Sequence, residues 1–377
     1  MLVRNVSFME ETYYCYICGN PIEGKEVSVE HIILNGIGGK LRSKKLLCKT
    51  CNGNLGSGPD VALSESLSFY TDMLQVKKDR DNHHKQLMMD EDGHEVIVEK
   101  GGAKLELRRS YYDKQEVGNE KRYNITAKSE EDLQKYLAGQ VKAGELTQAQ
   151  MDEIMAKVKM TSHRPKLSTR TVIPKEAFPS IVKSAVNYYV ECTRRIEDVK
   201  HLIPYIKGEK NCKDILNIVL FDKLPYEEKP EEITHMIHLE GNPKTGVLYA
   251  LMEYYGVYTY VVFLKENYDG PELNVTYCYD VLHEKLVARD FSLPVDRNWI
   301  EDFKKDFSQT CKKRFAAVEG RANKIMGAWQ DKDRQRIVKE IVEKAFKKYP
   351  EGCMIIPEIA HEIEKDIAEG LAKYIVE

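Results

Sequence analysis

Residues 15–52, CYICGNPIEGKEVSVEHIILNGIGGKLRSKKLLCKTCN, decide the fold of the N-terminal part of the chain. The stretch begins with one C-x-x-C pair, Cys15 and Cys18, and its second pair is Cys48 and Cys51. Two such pairs can place four thiolates around a tetrahedral Zn²⁺ ion. A segment this short cannot bury enough apolar area to fold alone, so metal binding would supply much of its folding free energy. Because all four ligand positions are filled, we predict a structural zinc ion.

An acid–imidazole pair, Glu30-His31, lies between the two cysteine pairs in an apolar, β-prone stretch. A strand with a purely structural role has little reason to carry these two side chains side by side. A glycine-rich bend follows, and a predicted helix start carries Asn52. The segment between the bend and this helix is basic and contains no acid, with Lys40, Arg42, Lys44, Lys45 and Lys49. This composition indicates a reactive site beside a cationic surface.

These residue types suit hydrolysis of a phosphodiester bond. The reaction needs a base that activates water, a divalent cation on the scissile phosphate and cations that hold the flanking backbone. Neutral His31 can accept a proton near pH 7, and the oxygen atoms of Glu30 and Asn52 are hard ligands suited to Mg²⁺. In a regular strand Glu30 and His31 point to opposite faces, so both serve one site only if the chain bends there.

The order C-x-x-C, (D/E)-H-I-I, G-G and C-x-x-C-N resembles the HNH (ββα-metal) endonucleases over about residues 12–60. It is most similar to the branch with four zinc cysteines and a terminal Asn. The resemblance implies that His31 is the general base and that Glu30 and Asn52 hold one catalytic Mg²⁺ or Mn²⁺ ion. That ion would stabilise the departing 3′ oxygen and leave 5′-phosphate ends on DNA. The five basic residues named above would contact the DNA phosphates.

The chain departs from the family pattern at two positions. Ser43 stands where the middle Asn is usual, and the resemblance assigns it one orienting hydrogen bond, with Asn35 as a substitute. Glu30 stands where Asp is commoner, which lengthens the ligand arm by one methylene group. Asp60 follows a Gly-Ser-Gly-Pro turn, where a turn role and a supporting role behind the metal site both stay open.

The remaining sequence predicts an α+β body with an antiparallel sheet and C-terminal helices. Several stretches between residues 214 and 290 have the composition of antiparallel strands separated by turns, and residues 298–376 are helical and charged. We predict three segments: an HNH/ββα-metal module with structural zinc at residues 1–62, a linker helix, hairpin and helical segment at residues 63–170, and an α+β domain at residues 171–377. The last segment would regulate activity, form a homodimer or dock DNA.

Length and charge limit the class of protein. A chain of 377 residues predicts two or three domains. Its 57 basic and 60 acidic side chains give a net charge of −3, which excludes a uniformly basic nucleic-acid coat protein but allows a local basic patch. We recognise neither a secretory signal nor a membrane span, and the odd number of isolated cysteines indicates a reducing compartment. We therefore predict a soluble, cytoplasmic protein.

Two functional classes stay open. One is a metal-dependent DNA endonuclease, with anti-phage defence as its biological setting, because similar modules are often fused to such bodies in bacterial and phage-related proteins. The other is a non-catalytic, zinc-dependent module that binds nucleic acid or protein. Tyr13, Tyr14 and Tyr16 could stack on bases or pack around the zinc. His235 and His238 would point to opposite faces of one strand and do not predict a metal site.

Overall fold

The computed structural model describes residues 12–80, 83–102, 104–117, 120–158, 165–290 and 293–376. The chain divides into two compact units, Met1–Asn82 with Thr171–Ala328, and His83–Arg170 with Trp329–Glu377. Each unit is built from two separate parts of the chain, whereas the sequence predicted three consecutive segments. The difference arises because elements that pack together within a unit are distant in sequence.

The N-terminal part of the first unit is a short strand pair followed by helices. β1 (Glu30–His31) pairs antiparallel with β2 (Arg42–Ser43). Three helices follow: α1 (Lys49–Gly56), α2 (Pro59–Ser66) and α3 (Ser68–Met73). Pro at the first position of α2 suits a helix start, because the N–H group it lacks would have no partner within the helix.

The second unit holds two small antiparallel sheets and several helices. One sheet is formed by β3 (Gln86–Met89), β4 (Glu95–Glu99) and β5 (Lys104–Leu107), and β6 (Tyr111–Val117) pairs with β7 (Glu120–Thr126). The helices α4 (Glu130–Lys142) and α5 (Gln148–Lys157) follow. Ser129 and Thr147 cap these helices, because each side chain accepts a hydrogen bond from the backbone N–H three residues later.

A six-stranded antiparallel sheet forms the core of the first unit, with the strand order β13-β12-β9-β10-β11-β8. Two helices, α6 (Phe178–Thr193) and α7 (Ile203–Ile206), precede it. The strands are β8 (Leu216–Val219), β9 (Thr234–Asn242), β10 (Val247–Tyr254), β11 (Tyr258–Glu266), β12 (Leu273–Asp280) and β13 (Lys285–Leu286). The chain ends in α8 (Arg297–Phe346) and α9 (Pro357–Val376).

Both faces of the sheet are covered. Tyr249 and Leu251 of β10 pack in a cluster with Val295, which precedes α8, and with Ile300 in the first turn of α8. Helix α6 contacts β9, β10 and β11. Because both faces are covered, these three strands are buried along almost their whole length, which explains the nearly continuous apolar sequences of β10 and β11.

Helix α6 is buried along most of its length, as expected for a helix that is apolar on most sides. It contacts α2 as well as the sheet. Four of its buried residues are polar and follow the spacing i, i+3, i+4, i+7, which places them on one face: Ser180, Lys183, Ser184 and Asn187. This polar stripe lies inside the first unit, so its members need hydrogen-bond partners there.

The sequence prediction of an α+β chain, with a small N-terminal zinc module, an antiparallel sheet and C-terminal helices, is confirmed. In the part of the chain that the structure describes, no helix combines the length and the apolar character that a membrane span requires.

His235 on β9 and Tyr255 after β10 anchor the glycine-rich loop between β1 and β2. The Nε2 atom of His235 lies 2.8 Å from the carbonyl oxygen of Ile37, and the Tyr255 hydroxyl donates to the same oxygen at 3.0 Å. The backbone N–H of Tyr255 donates to Nδ1 of His235 at 3.3 Å, which assigns the proton to Nε2. Complete burial lowers the pKa of His235 to about 4, so this imidazole is neutral at pH 7.

We expect acid to destabilise the first unit through His235. Its pKa falls from an ordinary value of 6.5 to about 4 in the folded chain, so unfolding takes up a proton between these two values. The contribution of neutral His235 to the free energy of unfolding is fully present above pH 6.5 and declines as the pH falls toward 4. At pH 5 the free energy of unfolding is lower by about 2 kcal/mol. The melting temperature, measured between pH 7 and pH 5, should fall accordingly.

The variant His235→Gln should lack this part of the acid dependence, although it melts at a lower temperature at pH 7. His361→Gln, which changes an exposed histidine on α9, should keep the wild-type slope. A slope in His235→Gln equal to that of the wild type would contradict the assignment of a buried neutral imidazole.

Candidate functional site

The four cysteines of the two C-x-x-C pairs come together. The sulfur atoms of Cys18 and Cys48 are 3.8 Å apart, and all four sulfur atoms lie within 4.8 Å of one another. Thiolates about 2.3 Å from a tetrahedral Zn²⁺ ion are about 3.8 Å from each other. Cys48 also caps α1, because its sulfur accepts a hydrogen bond from the backbone N–H of Cys51. The cluster is compatible with a structural zinc ion.

Glu30 points into the first unit and is held by α6. The Nζ atom of Lys183 lies 2.8 Å from Glu30 Oε1, and Asn187 Nδ2 donates to the same oxygen at 2.8 Å. The carboxamide oxygen of Asn187 in turn accepts a hydrogen bond from the Tyr16 hydroxyl at 2.6 Å. Two members of the polar stripe, Lys183 and Asn187, therefore have partners on β1 and beside the first cysteine pair.

Asp60 on α2 binds the same lysine. Lys183 Nζ lies 2.6 Å from Asp60 Oδ2, and the hydroxyl of Ser180 donates to Oδ1 at 2.5 Å. Asp60 therefore lies in the first turn of α2 and also contacts two residues of α6. Its carboxylate and that of Glu30 share one ammonium group.

Lys183 is charged in spite of its burial. Burial alone would lower its pKa, but the carboxylates of Glu30 and Asp60 outweigh that effect and raise the pKa above the ordinary value. Burial raises the pKa of Glu30, and the charge of Lys183 limits that rise. Because the lysine and the donor of Asn187 both favour the ionised carboxylate, the two side chains form a buried ion pair.

His31 lies on the other face of β1. Its Nε2 atom is 3.3 Å from Asp79 Oδ2, and its side chain is 20% exposed. Arg42 stands opposite His31 in the strand pair. Burial lowers the pKa of His31, Asp79 opposes this effect, and the charges of Arg42 and Lys40 add to it. The imidazole is therefore neutral at pH 7, which is the form that accepts a proton.

The segment that carries Asp79 is tied to the glycine-rich loop. The backbone N–H of Asp79 donates to Asn35 Oδ1 at 2.9 Å, and Lys40 Nζ donates to the carbonyl oxygen of Lys77 at 2.9 Å. Asn35 was expected to replace the middle Asn of the family in orienting the base. In the structure it holds the backbone of Asp79, whose carboxylate contacts His31.

Asn52 lies beside the start of β1. Its Nδ2 atom donates to Ser28 Oγ at 2.9 Å and to the carbonyl oxygen of Val29 at 3.2 Å. Within the described ranges, its Oδ1 atom has no hydrogen-bond partner. This oxygen is the atom that a metal-binding role would require.

Ser43 makes a local contact. It is buried opposite Glu30 in the strand pair, and its hydroxyl accepts a hydrogen bond from the backbone N–H of Lys45 at 3.1 Å. Arg42 is the residue opposite His31, so the orienting hydrogen bond expected of Ser43 is not made to His31 in this structure.

The basic residues after the glycine bend lie at the surface. Of the five that were predicted to contact phosphates, Lys40 is partly exposed and four are exposed: Arg42, Lys44, Lys45 and Lys49. Tyr13 lies beside this group, since the ammonium of Lys45 is 4.7 Å from its ring centroid. Tyr14 is exposed and Tyr16 is buried, so of these two tyrosines only Tyr14 could reach a ligand.

Glu30 and His31, which were expected to serve one cation site together with Asn52, contact different partners. Neighbouring residues of a strand point to opposite faces, and no bend in β1 overrides this rule: Glu30 is buried against Lys183, whereas His31 faces Asp79. The motif predicted that Glu30 and His31 are functional residue types, but their adjacency in the sequence does not place them on the same face of β1.

Sequence reasoning missed three side chains that contact this site, namely Lys183, Asn187 and Asp79. Two of them carried a signal. A helix as apolar as α6 has little reason to carry Lys and Asn one turn apart on the face that also holds Ser180, so buried partners could have been expected. Asp79 lies in a charged segment without a comparable pattern.

Loss of zinc should unfold the N-terminal part of the first unit. We expect one zinc ion per purified chain, measured by atomic absorption, because four thiolates can fill its coordination shell. Cys51→Ser should lower the zinc content well below one and reduce the melting temperature. Cys353→Ser changes an exposed cysteine outside the cluster and should leave both unchanged. Full zinc occupancy in Cys51→Ser would show that the cluster is not the zinc site.

A comparison with protein-family models finds that residues 15–68 match the model described as HNH endonuclease. Comparisons with curated proteins and with solved structures found no match for the chain. The matched range includes the four cysteines, Glu30-His31, Asn52 and Asp60, and it confirms the resemblance seen in the sequence. Residues 15–68 are thus similar to the HNH endonuclease family, and we call this part of the chain the HNH module.

Proposed function

We propose that the HNH module is a metal-dependent endonuclease that hydrolyses phosphodiester bonds in DNA. The observation that carries this proposal is the environment of His31, a neutral and partly exposed imidazole inside the range that matches the family. The carboxylate of Asp79 contacts one side of the ring, and burial, together with the charges of Arg42 and Lys40, lowers the pKa of His31. This combination suits a general base that acts beside a polyanion.

In this proposal His31 removes a proton from the attacking water. Asp79 contacts Nε2, and in the part of the chain that the structure describes Nδ1 has no hydrogen-bond partner, so Nδ1 is the atom that accepts the proton. Asp79 keeps the ring in one orientation and stabilises the imidazolium that forms. Asp79 acts through His31 and is therefore a positioning residue.

The divalent cation, Mg²⁺ or Mn²⁺, would be held by Asn52 Oδ1 and by Glu30, in a state in which Lys183 has released the carboxylate. When bound, it would stabilise the departing 3′ oxygen. The exposed Arg42, Lys44, Lys45 and Lys49, together with Lys40, would hold the flanking phosphates, with contacts that position the backbone and carry little sequence information.

The direct test is a plasmid nicking assay with Mn²⁺. The wild type should nick the plasmid, and His31→Ala should lower the rate by at least about 10²-fold, because a general base contributes that much. His84→Ala, which changes an exposed histidine of the second unit, is the matched control and should cut at the wild-type rate.

Equal cutting by the wild type and His31→Ala would refute the role of the base. Absence of cleavage with every divalent ion, combined with DNA or protein binding, would favour the non-catalytic alternative. The proposed role in anti-phage defence has its own readout: expression of the wild type should be toxic in bacteria, and His31→Ala should remove the toxicity.

The pH dependence of cleavage should move in opposite directions in two variants. A general base works in its neutral form, so the acid limb of the rate profile follows the pKa of His31. Asp79→Asn removes a negative charge, lowers that pKa further and should shift the limb to lower pH, with a reduced maximal rate. Arg42→Gln removes a positive charge and should shift the limb to higher pH. If the acid limb of the pH–rate profile has the same midpoint in both variants as in the wild type, His31 is not the titrating base.

A further inference from the structure

We propose that Glu30 and Asp60 form a latent divalent-cation site, and that the ammonium group of Lys183 is the cation that fills it in this structure. The site would take a hard, oxygen-binding ion such as Mg²⁺ or Mn²⁺. The cation-binding part of this inference stands on geometry and charge. Its consequence for cleavage rests on the proposed nuclease function.

The geometry places one cation between two carboxylates. Lys183 Nζ lies 2.8 Å from Glu30 Oε1 and 2.6 Å from Asp60 Oδ2, and the three side chains are 1%, 3% and 13% exposed. Convergence of two carboxylates on one small volume is how proteins bind oxygen-coordinated divalent ions, with water in the remaining positions. Here a lysine from a distant helix takes that volume.

The charge of the site matches a divalent ion better than a lysine. Two carboxylates carry two negative charges and one ammonium group carries one positive charge. Among the described residues, Lys183 is the single cationic side chain in an ion pair with either carboxylate. The other donors to the two carboxylates are neutral, namely the hydroxyl of Ser180 on Asp60 and the carboxamide of Asn187 on Glu30. A divalent cation in the same position would neutralise both carboxylates.

While Lys183 is in place, it opposes binding of a divalent ion to Glu30. An ion on either oxygen of that carboxylate would stand within a few ångströms of the ammonium group, in surroundings where water screens the repulsion poorly. Glu30, which the proposed nuclease needs as a metal ligand, is thus held by the charge of Lys183 on α6. Lys183 is an autoinhibitory contact in this sense.

Helix α6 is the element that would move this contact. Asn187 lies one turn after Lys183 and donates to the same oxygen of Glu30, and its own carboxamide is held by Tyr16. A displacement of α6 would therefore withdraw both donors from Glu30 together. Because α6 is packed on the central sheet, a ligand that shifts the sheet or the helix would change access of a cation to the module.

The test is Mn²⁺ binding by Lys183→Met, which removes the charge and keeps much of the side-chain volume. We expect this variant to bind one more Mn²⁺ ion per chain than the wild type, or to bind it at least about tenfold more tightly, because a like charge next to the ion has been removed. Electron paramagnetic resonance can count free and bound Mn²⁺. Addition of Mn²⁺ should also raise the melting temperature of Lys183→Met more than that of the wild type.

The double variant Lys183→Met/Asp60→Asn is the matched control. It lacks one carboxylate as well as the lysine, so it should fold without metal and should not gain the tight Mn²⁺ site. If Lys183→Met is unfolded without Mn²⁺ and folds with it, the result supports the site. If Lys183→Met stays unfolded in Mn²⁺ while the double variant folds, or if it binds no more Mn²⁺ than the wild type, the proposal is wrong.

Cleavage gives a separate readout. The wild type should nick DNA slowly, and Lys183→Met should nick it faster in Mn²⁺, because Glu30 is then free to bind the ion. If no variant cleaves DNA, the nuclease proposal fails, whereas the Mn²⁺ measurements still decide whether the latent site exists.

Discussion

One buried ammonium group connects the HNH module to the rest of the first unit. Lys183 binds Glu30 of β1 and Asp60 of α2, although it is separated from them by more than a hundred positions in the sequence. Removal of one partner from such a network leaves a buried charge uncompensated, which typically costs about 3–5 kcal/mol. The position of β1 relative to α2 therefore depends on a helix outside the module. This dependence is one reason why the first unit joins two distant parts of the chain.

Two other groups of contacts fix the same module at different points. The four thiols gather the two ends of residues 15–52, and His235 and Tyr255 hold the carbonyl oxygen of Ile37 in the loop between them. His31 lies between these fixed points, on a strand of two residues. The short strand needs such support, because a two-residue pair provides few hydrogen bonds of its own. These contacts favour the proposed role of His31, because a general base that is held in place needs little reorganisation during a reaction.

The sequence predicted those features of the fold that depend on the spacing or composition of residues close together in the chain. The C-x-x-C spacing predicted the cysteine cluster, and the apolar runs of β10 and β11 predicted paired strands. It could not predict which side chains would face Glu30, because the partners Lys183 and Asn187 are 153 and 157 positions away and no local rule connects them. The same holds for His235, whose partner Ile37 is 198 positions away. Adjacency in the motif suggested a shared site for Glu30 and His31, whereas the alternation of the strand separated them.

The most direct test of this account is a crystal structure of the wild-type protein grown with Zn²⁺ and soaked in Mn²⁺, with anomalous scattering recorded at both metal edges. The account predicts a zinc peak among Cys15, Cys18, Cys48 and Cys51, and Lys183 Nζ within hydrogen-bond distance of Glu30 and Asp60, with no manganese peak at Glu30. A manganese ion bound to Glu30 while Lys183 keeps its place, or a Lys183 side chain directed away from both carboxylates, would contradict it.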